Sequence, residues 1–422
     1  MNTTIFKNDI LDEDYSLTVL DNGLKIYIME KPQFNTAYAV FGTKYGSIDT
    51  AFSLNGGKTV TVPEGIAHFL EHKLFESEDG DAFTKYAKTG AYANAFTSFD
   101  KTCYLFSCSN MFYENLDILL SFVQSPYFTA QTVQKEQGII GQEIRMYDDS
   151  PAWCVLFNTL RAMYHNNPVK IDIAGTVESI AQIDDKLLYE CYNTFYNPSN
   201  MFICIAGNVD RAKVLEKIES SIKPTSPVRI DRVVPNEPET VVCDYIEKKL
   251  DVALPLFCFG YKLNINRELT LFDTVCFDML LKIISSDITP LYNELTEQNL
   301  INDEFDNELF TGRGYTALLF EGESNSPKTV AENIKKEICR LKAEGIDKNI
   351  FEAVKRDVYG STIKRYNSVE DIVMSFIDSA VCCYNSFDEL GIIKNLEVED
   401  IQKYLEYLND NNTVLSVILP RQ

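Results

Sequence analysis

Two histidines and a glutamate occupy positions 68, 72 and 71, inside the run His68-Phe69-Leu70-Glu71-His72-Lys73-Leu74-Phe75. On a helix, residues spaced i, i+3 and i+4 project from one face. Two imidazoles one turn apart can ligate a single Zn²⁺, and a carboxylate beside them can take a proton from water on the metal. The plainer reading is a core helix whose apolar stripe is Ile66, Phe69, Leu70 and Leu74. The chain has three histidines, however, and two of them flank this glutamate at ligand spacing, which favours the metal face.

A tetrahedral site needs one more protein ligand and keeps its fourth position for water. The remaining histidine, His165, lies in Tyr164-His165-Asn166-Asn167-Pro168, a turn in which a structural or surface role fits better, so the third ligand must be acidic. The segment Gln134 to Tyr147 supplies Glu136 and Glu143, seven residues apart and therefore on the same helical face two turns from each other. One can ligate while the other supports from behind. Periodicity does not choose between them.

The elements that must hold these groups can be followed along the chain. Leu17 to Leu20, Asp21-Asn22-Gly23 and Leu24 to Met29 read as strand, tight turn and strand, with Asn-Gly supplying positive φ. Thr36 to Gly46 continues as a strand, and Pro63-Glu64-Gly65 breaks the chain just before the histidine helix. A helix over Asp81 to Ala87 stops at Gly90. Ala91 to Cys108 reads as two strands turning near Asp100-Lys101. Asn110 to Phe122 is an amphipathic helix with Phe112, Leu116, Leu119 and Leu120 on its apolar side, and Thr132 to Tyr147 is a second long one.

A helix end, a turn and an apolar strand occur at Tyr196 to Asn208, and the same grammar returns at Tyr407 to Leu419, about 215 residues later. Each strand follows a helix with an acidic cap, at Ile183-Asp184-Asp185 and Val398-Glu399-Asp400. The chain therefore divides into two related halves: residues 1–222 carry the metal face, 223–239 form a proline-rich linker, and 240–422 form a half without any histidine. That second half restarts with strands at Thr240 to Asp244 and Ala253 to Tyr261. Its role is structural or substrate-binding.

At 422 residues the chain exceeds one hydrophobic core. The net charge of −23 argues against nucleic acid or an anionic membrane as partner. No apolar stretch is long enough to cross a bilayer and the N-terminus lacks a leader's apolar core, so a cytoplasmic, soluble protein is expected. Eleven cysteines without a Cys-x-x-Cys pair read as reduced thiols.

In His68-Phe69-Leu70-Glu71-His72 the glutamate precedes the second histidine, which is the H-x-x-E-H order of the inverzincins. Together with Glu136 and Glu143 running into Tyr147-Asp148-Asp149-Ser150-Pro151, and with Ala93-Asn94-Ala95-Phe96-Thr97, the chain resembles the pitrilysin/insulinase-like inverzincin peptidases, in particular bacterial processing-peptidase-like members. The resemblance spans the whole chain. It implies an α+β fold of two homologous halves, each a mostly antiparallel sheet flanked by helices, closing as a clam-shell.

The same resemblance implies that His68, His72 and Glu143 bind Zn²⁺, that Glu71 is the general base and that Glu136 supports from the second shell. It makes Asn94, Ala95 and Phe96 part of an edge strand that pairs with an extended peptide. Active relatives carry an Arg and a Tyr seven positions apart in the second half. Here the matching positions hold Thr296 and Asp303, with Arg313 and Tyr315 in Gly312-Arg313-Gly314-Tyr315 as local replacements for substrate binding. The expected activity is zinc-dependent endoproteolysis of unfolded peptides or small precursors. The expected partner is a homologous metal-less subunit in a heterodimer, a homodimer being the other pairing. The rival functions are a noncatalytic peptide-binding or structural subunit and a maturation protease dedicated to one modified peptide.

Overall fold

The computed structural model describes residues 1–78 and 80–421. Among these, most strands belong to two sheets. The first contains β1 (Asn2–Asn8), β2 (Glu13–Val19), β3 (Lys25–Glu30), β4 (Ala37–Thr43), β5 (Tyr92–Thr97), β6 (Thr102–Cys108) and β7 (Met201–Gly207), in the spatial order β1-β2-β3-β7-β4-β6-β5. All neighbours run antiparallel except β3 and β7, which are parallel. The β2–β3 hairpin turns where Asn22-Gly23 predicts it: Gly23 has φ 90°, and a Cβ there would come within 2.9 Å of the Ser199 side chain.

The second sheet contains β8 (Tyr245–Leu250), β9 (Leu256–Lys262), β10 (Asp306–Gly312), β11 (Tyr315–Glu323) and β12 (Thr413–Pro420), in the order β8-β12-β9-β11-β10. Here too the only parallel neighbours are the first two, β8 and β12. This order repeats β3-β7-β4-β6-β5 strand for strand. The halves are thus built to one plan, and β1 and β2 are an addition to the first.

Strand β7 shows how sequence sets layer. Met201-Phe202-Ile203-Cys204-Ile205-Ala206-Gly207 is apolar throughout because both of its faces are covered. Met201, Ile203 and Ile205 enter one core together with Phe69, Leu70 and Leu74 of the helix Ile66–Leu74 and with Ile140 and Ile144 of the helix Ala130–Asp148. Phe202, Cys204 and Ala206 point the other way, into a core with Ile372, Val373, Phe376 and Ile377. The helices Ile66–Leu74 and Ala130–Asp148 lie on the first of these faces.

Packing groups the residues in two compact units that do not follow the linear halves. One unit holds residues 1–144, 172–233 and 363–387; the other holds 145–171, 234–362 and 388 onward. The helix Val369–Cys382 of the second half covers the back of the first sheet, while the helix Pro151–Met163 of the first half lies on the second sheet, where Lys262 Nζ donates to the Met163 carbonyl at 2.9 Å. Each sheet receives one cover from the other half of the chain.

The linker is structured. Ile230–Arg232 forms a short strand on Ala51–Leu54, and Arg232 Nε donates to Asp49 at 3.0 Å. Glu237 accepts the backbone N–H groups of His165, Asn166 and Asn167 at 2.7, 2.7 and 2.8 Å, and Lys262 pairs with it. His165 is therefore part of a structural anchor.

Two local expectations need correction. The strand expected at Thr240 to Asp244 lies at Tyr245–Leu250, because Val242 and Cys243 spend their N–H groups on the Ala162 carbonyl. The charged Glu247, Lys248 and Lys249 that obscured it suit an edge strand. The cap expected within Val398-Glu399-Asp400 is one residue earlier, at Glu397, in a reciprocal box with Asp400. No helix among the described residues is long and apolar enough to cross a membrane.

A buried acid anchors the second unit. Asp273 is 4% exposed and accepts from Arg267 Nη2 at 2.7 Å, the Thr270 amide at 2.8 Å and Tyr404 at 2.8 Å. Burial alone would raise its pKa, but the Arg267, Thr270 and Tyr404 bonds outweigh burial and hold the carboxyl well below the usual range. A depressed folded pKa stabilises above the unfolded value of about 3.9 and loses that contribution as pH falls toward the folded value. Urea unfolding of Asp273→Asn should show a loss of about 1–3 kcal/mol at pH 7. Its deficit against the wild type should shrink as the buffer is taken below about pH 4.

Candidate metal centre

The histidine helix Ile66–Leu74 begins at Gly65, whose φ is 84° and where a Cβ would stand 2.3 Å from the Ala174 carbonyl oxygen. Only glycine fits that entry. From there Ile66, Phe69, Leu70 and Leu74 anchor the predicted apolar stripe in the core, and His68 and Glu71 are each 8% exposed. The two imidazole rings lie 4.6 Å apart, centroid to centroid.

Helix Ala130–Asp148 brings the acids. Buried Val133, Ile140 and Ile144 press one side of it into the core, which turns Glu136 and Glu143 toward the histidines. Glu143 Oε1 is 3.7 Å from His68 Nε2, and Glu143 Oε2 is 3.5 Å from His72 Nε2. Donor atoms of His68, His72 and Glu143 all lie within 4.8 Å of one another. Glu136 Oε1 instead meets the other ring nitrogen of His72, Nδ1, at 3.0 Å. The two carboxylates thus differ in place: Glu143 lies near the Nε2 atoms of both histidines, and Glu136 meets the Nδ1 side of His72.

The electrostatics suit a cation. Burial, with His72 alongside, pushes His68 down to about 3, so its ring is neutral and has a lone pair to offer at neutral pH. For His72 burial works the same way, but the Glu136 bond and the charges of Glu71 and Glu143 prevail and raise its pKa. Burial raises the Glu71 carboxyl, opposed by a hydrogen bond from Thr97 and by His72. Two imidazoles and one carboxylate converging at this range could hold a metal ion, and nitrogen and oxygen donors of this kind suit zinc. His68 Nδ1 is buried and has no hydrogen-bond partner among the described residues.

Asn94, Ala95 and Phe96 sit on β5, the edge of the first sheet, paired to Leu105, Tyr104 and Cys103 of β6. Asn94 is exposed, and its Oδ1 accepts the Ala95 N–H at 2.9 Å. Thr97, at the end of the same strand, donates its hydroxyl proton to Glu71 Oε2 at 2.6 Å. That contact escaped a reading by types and spacing, although strand alternation from Ala93 and Ala95, both against the core, places Thr97 on the histidine-helix side.

Arg313 and Tyr315 belong to the other unit, at the turn between β10 and β11. Tyr315 is 6% exposed, with its ring 5.1 Å from Phe310 and 6.3 Å from Tyr164. Thr296, in the helix Pro290–Glu297, and Asp303, in the loop after it, are both exposed.

Known proteins resemble this chain in sequence and fold. Residues 61–177 match the family model described as Insulinase (Peptidase family M16), and residues 182–358 match the Peptidase M16 inactive domain. YmfH of Bacillus subtilis, named an uncharacterized zinc protease, is 41% identical over 94% of this chain and 95% of its own length. A crystal structure from Alicyclobacillus acidocaldarius, described as an M16-like peptidase, is 32% identical and superposes with TM-score 0.92 over 96% of this chain and 98% of that one. A protease from Helicobacter pylori shares the fold at TM-score 0.81 and 20% identity, over 97% of this chain and 100% of that one. With its two α+β halves and these relatives, the chain belongs to the insulinase-type M16 peptidase family.

Proposed function

We propose that this chain is a zinc endopeptidase acting on unfolded peptides or small precursor peptides, with His68, His72 and Glu143 as metal ligands and Glu71 as general base. The observation that supports it most is the convergence of ligand atoms of His68, His72 and Glu143 within 4.8 Å of one another. A zinc ion held there supplies Lewis-acid polarisation and lowers the pKa of a water molecule. Glu71, buried beside both histidines, accepts the proton of the attacking water and returns it to the departing amine. Glu136 fixes the His72 ring through Nδ1, so that Nε2 faces Glu143. Asn94, Ala95 and Phe96 present the open edge of β5 to an extended chain, which gains main-chain hydrogen bonds with little dependence on its sequence.

Elemental analysis tests the ligand assignment. The wild-type chain should hold one zinc. His72→Ala and Glu143→Gln should lose it or bind it far more weakly, whereas Glu136→Gln should retain it with roughly 10–100-fold lower affinity. Full occupancy in Glu143→Gln would move the third ligand to another carboxylate. A wild-type protein that takes up no zinc would leave the noncatalytic, peptide-binding role standing.

Thr296 and Asp303, at the positions where active relatives are expected to carry Arg and Tyr, favour a partner. In this reading the chain is the metal-bearing member of a heterodimer whose homologous second member supplies cationic and phenolic groups. Arg313 and Tyr315 are the local substitutes if the chain acts by itself.

A further inference from the structure

We propose that Thr97 is a positioning residue for Glu71: its hydroxyl locks one carboxylate oxygen so that the other is presented to the attacking water. This rests on the zinc-peptidase reading and assigns a role within the same site. The hydroxyl has one proton, and the surrounding bonds determine where it goes.

Thr97 Oγ1 lies 2.6 Å from Glu71 Oε2 and 3.4 Å from Thr102 Oγ1, its cross-strand neighbour. Thr102 spends its own proton on the Tyr45 carbonyl at 2.8 Å. Thr102 therefore has no proton for Thr97 and could only accept from it; of the two acceptors open to the Thr97 hydroxyl, Glu71 Oε2 at 2.6 Å is nearer than Thr102 Oγ1 at 3.4 Å and is a carboxylate oxygen. That proton is committed to Glu71 Oε2, in the short range of hydroxyl-to-carboxylate bonds. Thr102 is fully buried and Glu71 nearly so, so water does not replace these partners freely.

The consequence is directional. A carboxylate on a flexible two-carbon arm has broad freedom about its last torsion. A bond to Oε2 removes that freedom and leaves Oε1 as the basic oxygen, in a plane set by the strand. Thr97 belongs to β5, the strand whose outer edge takes the peptide in the proposed function, and its side chain reaches the histidine helix. One short segment then sets both the register of the bound chain and the aim of the base. The hydroxyl is what matters, so valine, of the same shape, must fail where serine succeeds.

The test compares Thr97→Val and Thr97→Ser, assayed in the peptide-cleaving form of the enzyme, together with crystal structures of both variants. We expect Thr97→Val to keep its zinc content and KM while kcat falls about 10–100-fold, the loss of one bond to a charged group. Thr97→Ser should stay within a few-fold of wild type. The crystal structures should show the Glu71 carboxylate turned in the valine variant and unmoved in the serine variant. Wild-type kcat with an unmoved Glu71 in Thr97→Val overturns the proposal. Glu71→Gln separates the two levels: if it cleaves like wild type, the general-base reading fails, and the Glu71 position in Thr97→Val still decides whether Thr97 orients that side chain.

Discussion

Glu71→Gln should retain stoichiometric zinc and lose peptide hydrolysis by roughly 10²–10⁴-fold, the usual value of a general base. The amide has nearly the shape of the carboxylate and can still take the Thr97 hydrogen bond through its oxygen, so packing at the helix is preserved. What it lacks is a site for the proton. His68, His72 and Glu143 converge without Glu71, so the metal should stay. The measurement is single-turnover cleavage of a quenched fluorescent peptide beside metal analysis of the same preparation. Near-wild-type turnover with zinc bound would assign the proton transfer to another group. Loss of both metal and activity would show instead that Glu71 maintains the site.

How much of this centre can be read along the chain follows from what each contact depends on. His68, Glu71 and His72 are within one helical turn, and helix geometry alone puts them together. Glu136 and Glu143 are two turns apart on one face, so the choice between them requires knowing which turn of their helix passes the histidines. In the folded chain Glu143 is level with both Nε2 atoms, and Glu136 stands behind His72 at Nδ1. Thr97 is 26 residues from Glu71, and their contact exists only once the β5–β6 hairpin docks beside the histidine helix.

The fold divides in the same manner. The repeated strand grammar about 215 residues apart corresponds to two sheets that share one five-strand order. An amphipathic helix, by contrast, shows that it covers something without showing what. Residues Pro151–Met163 and Val369–Cys382 have the composition of ordinary core helices, yet each lies on the sheet assembled by the other half of the chain. Edge strand β8 stayed hidden because its alternating pattern is broken by Lys248 and Lys249.

The purified chain alone should cleave peptides weakly, and adding a homologous metal-less chain that carries the Arg and Tyr should raise kcat/KM by roughly 10²–10³-fold, since donors to a developing oxyanion contribute about 3–4 kcal/mol. The expectation comes from the division of chemistry in this chain. The first unit brings His68, His72 and Glu143 together in a group that could hold a metal ion, and Glu71, the proposed base, lies on the same helix as the two histidines. Thr296 and Asp303, exposed at the positions where the resemblance to the family leads one to expect cationic and phenolic donors, offer a short hydroxyl and a carboxyl group. A carboxylate at Asp303 would oppose an oxyanion instead of stabilising it. Local replacement makes a contrary demand, because Tyr315 is already buried against Phe310 and Tyr164 and would have to present its hydroxyl from within that packing. Co-purification and activity of the mixed chains measure the first alternative; Arg313→Ala and Tyr315→Phe in the single chain measure the second. Strong activity from the single chain, lost in those two variants, would sink the heterodimer. Rescue that disappears when the partner's own Arg or Tyr is removed would place the missing donors on the second subunit.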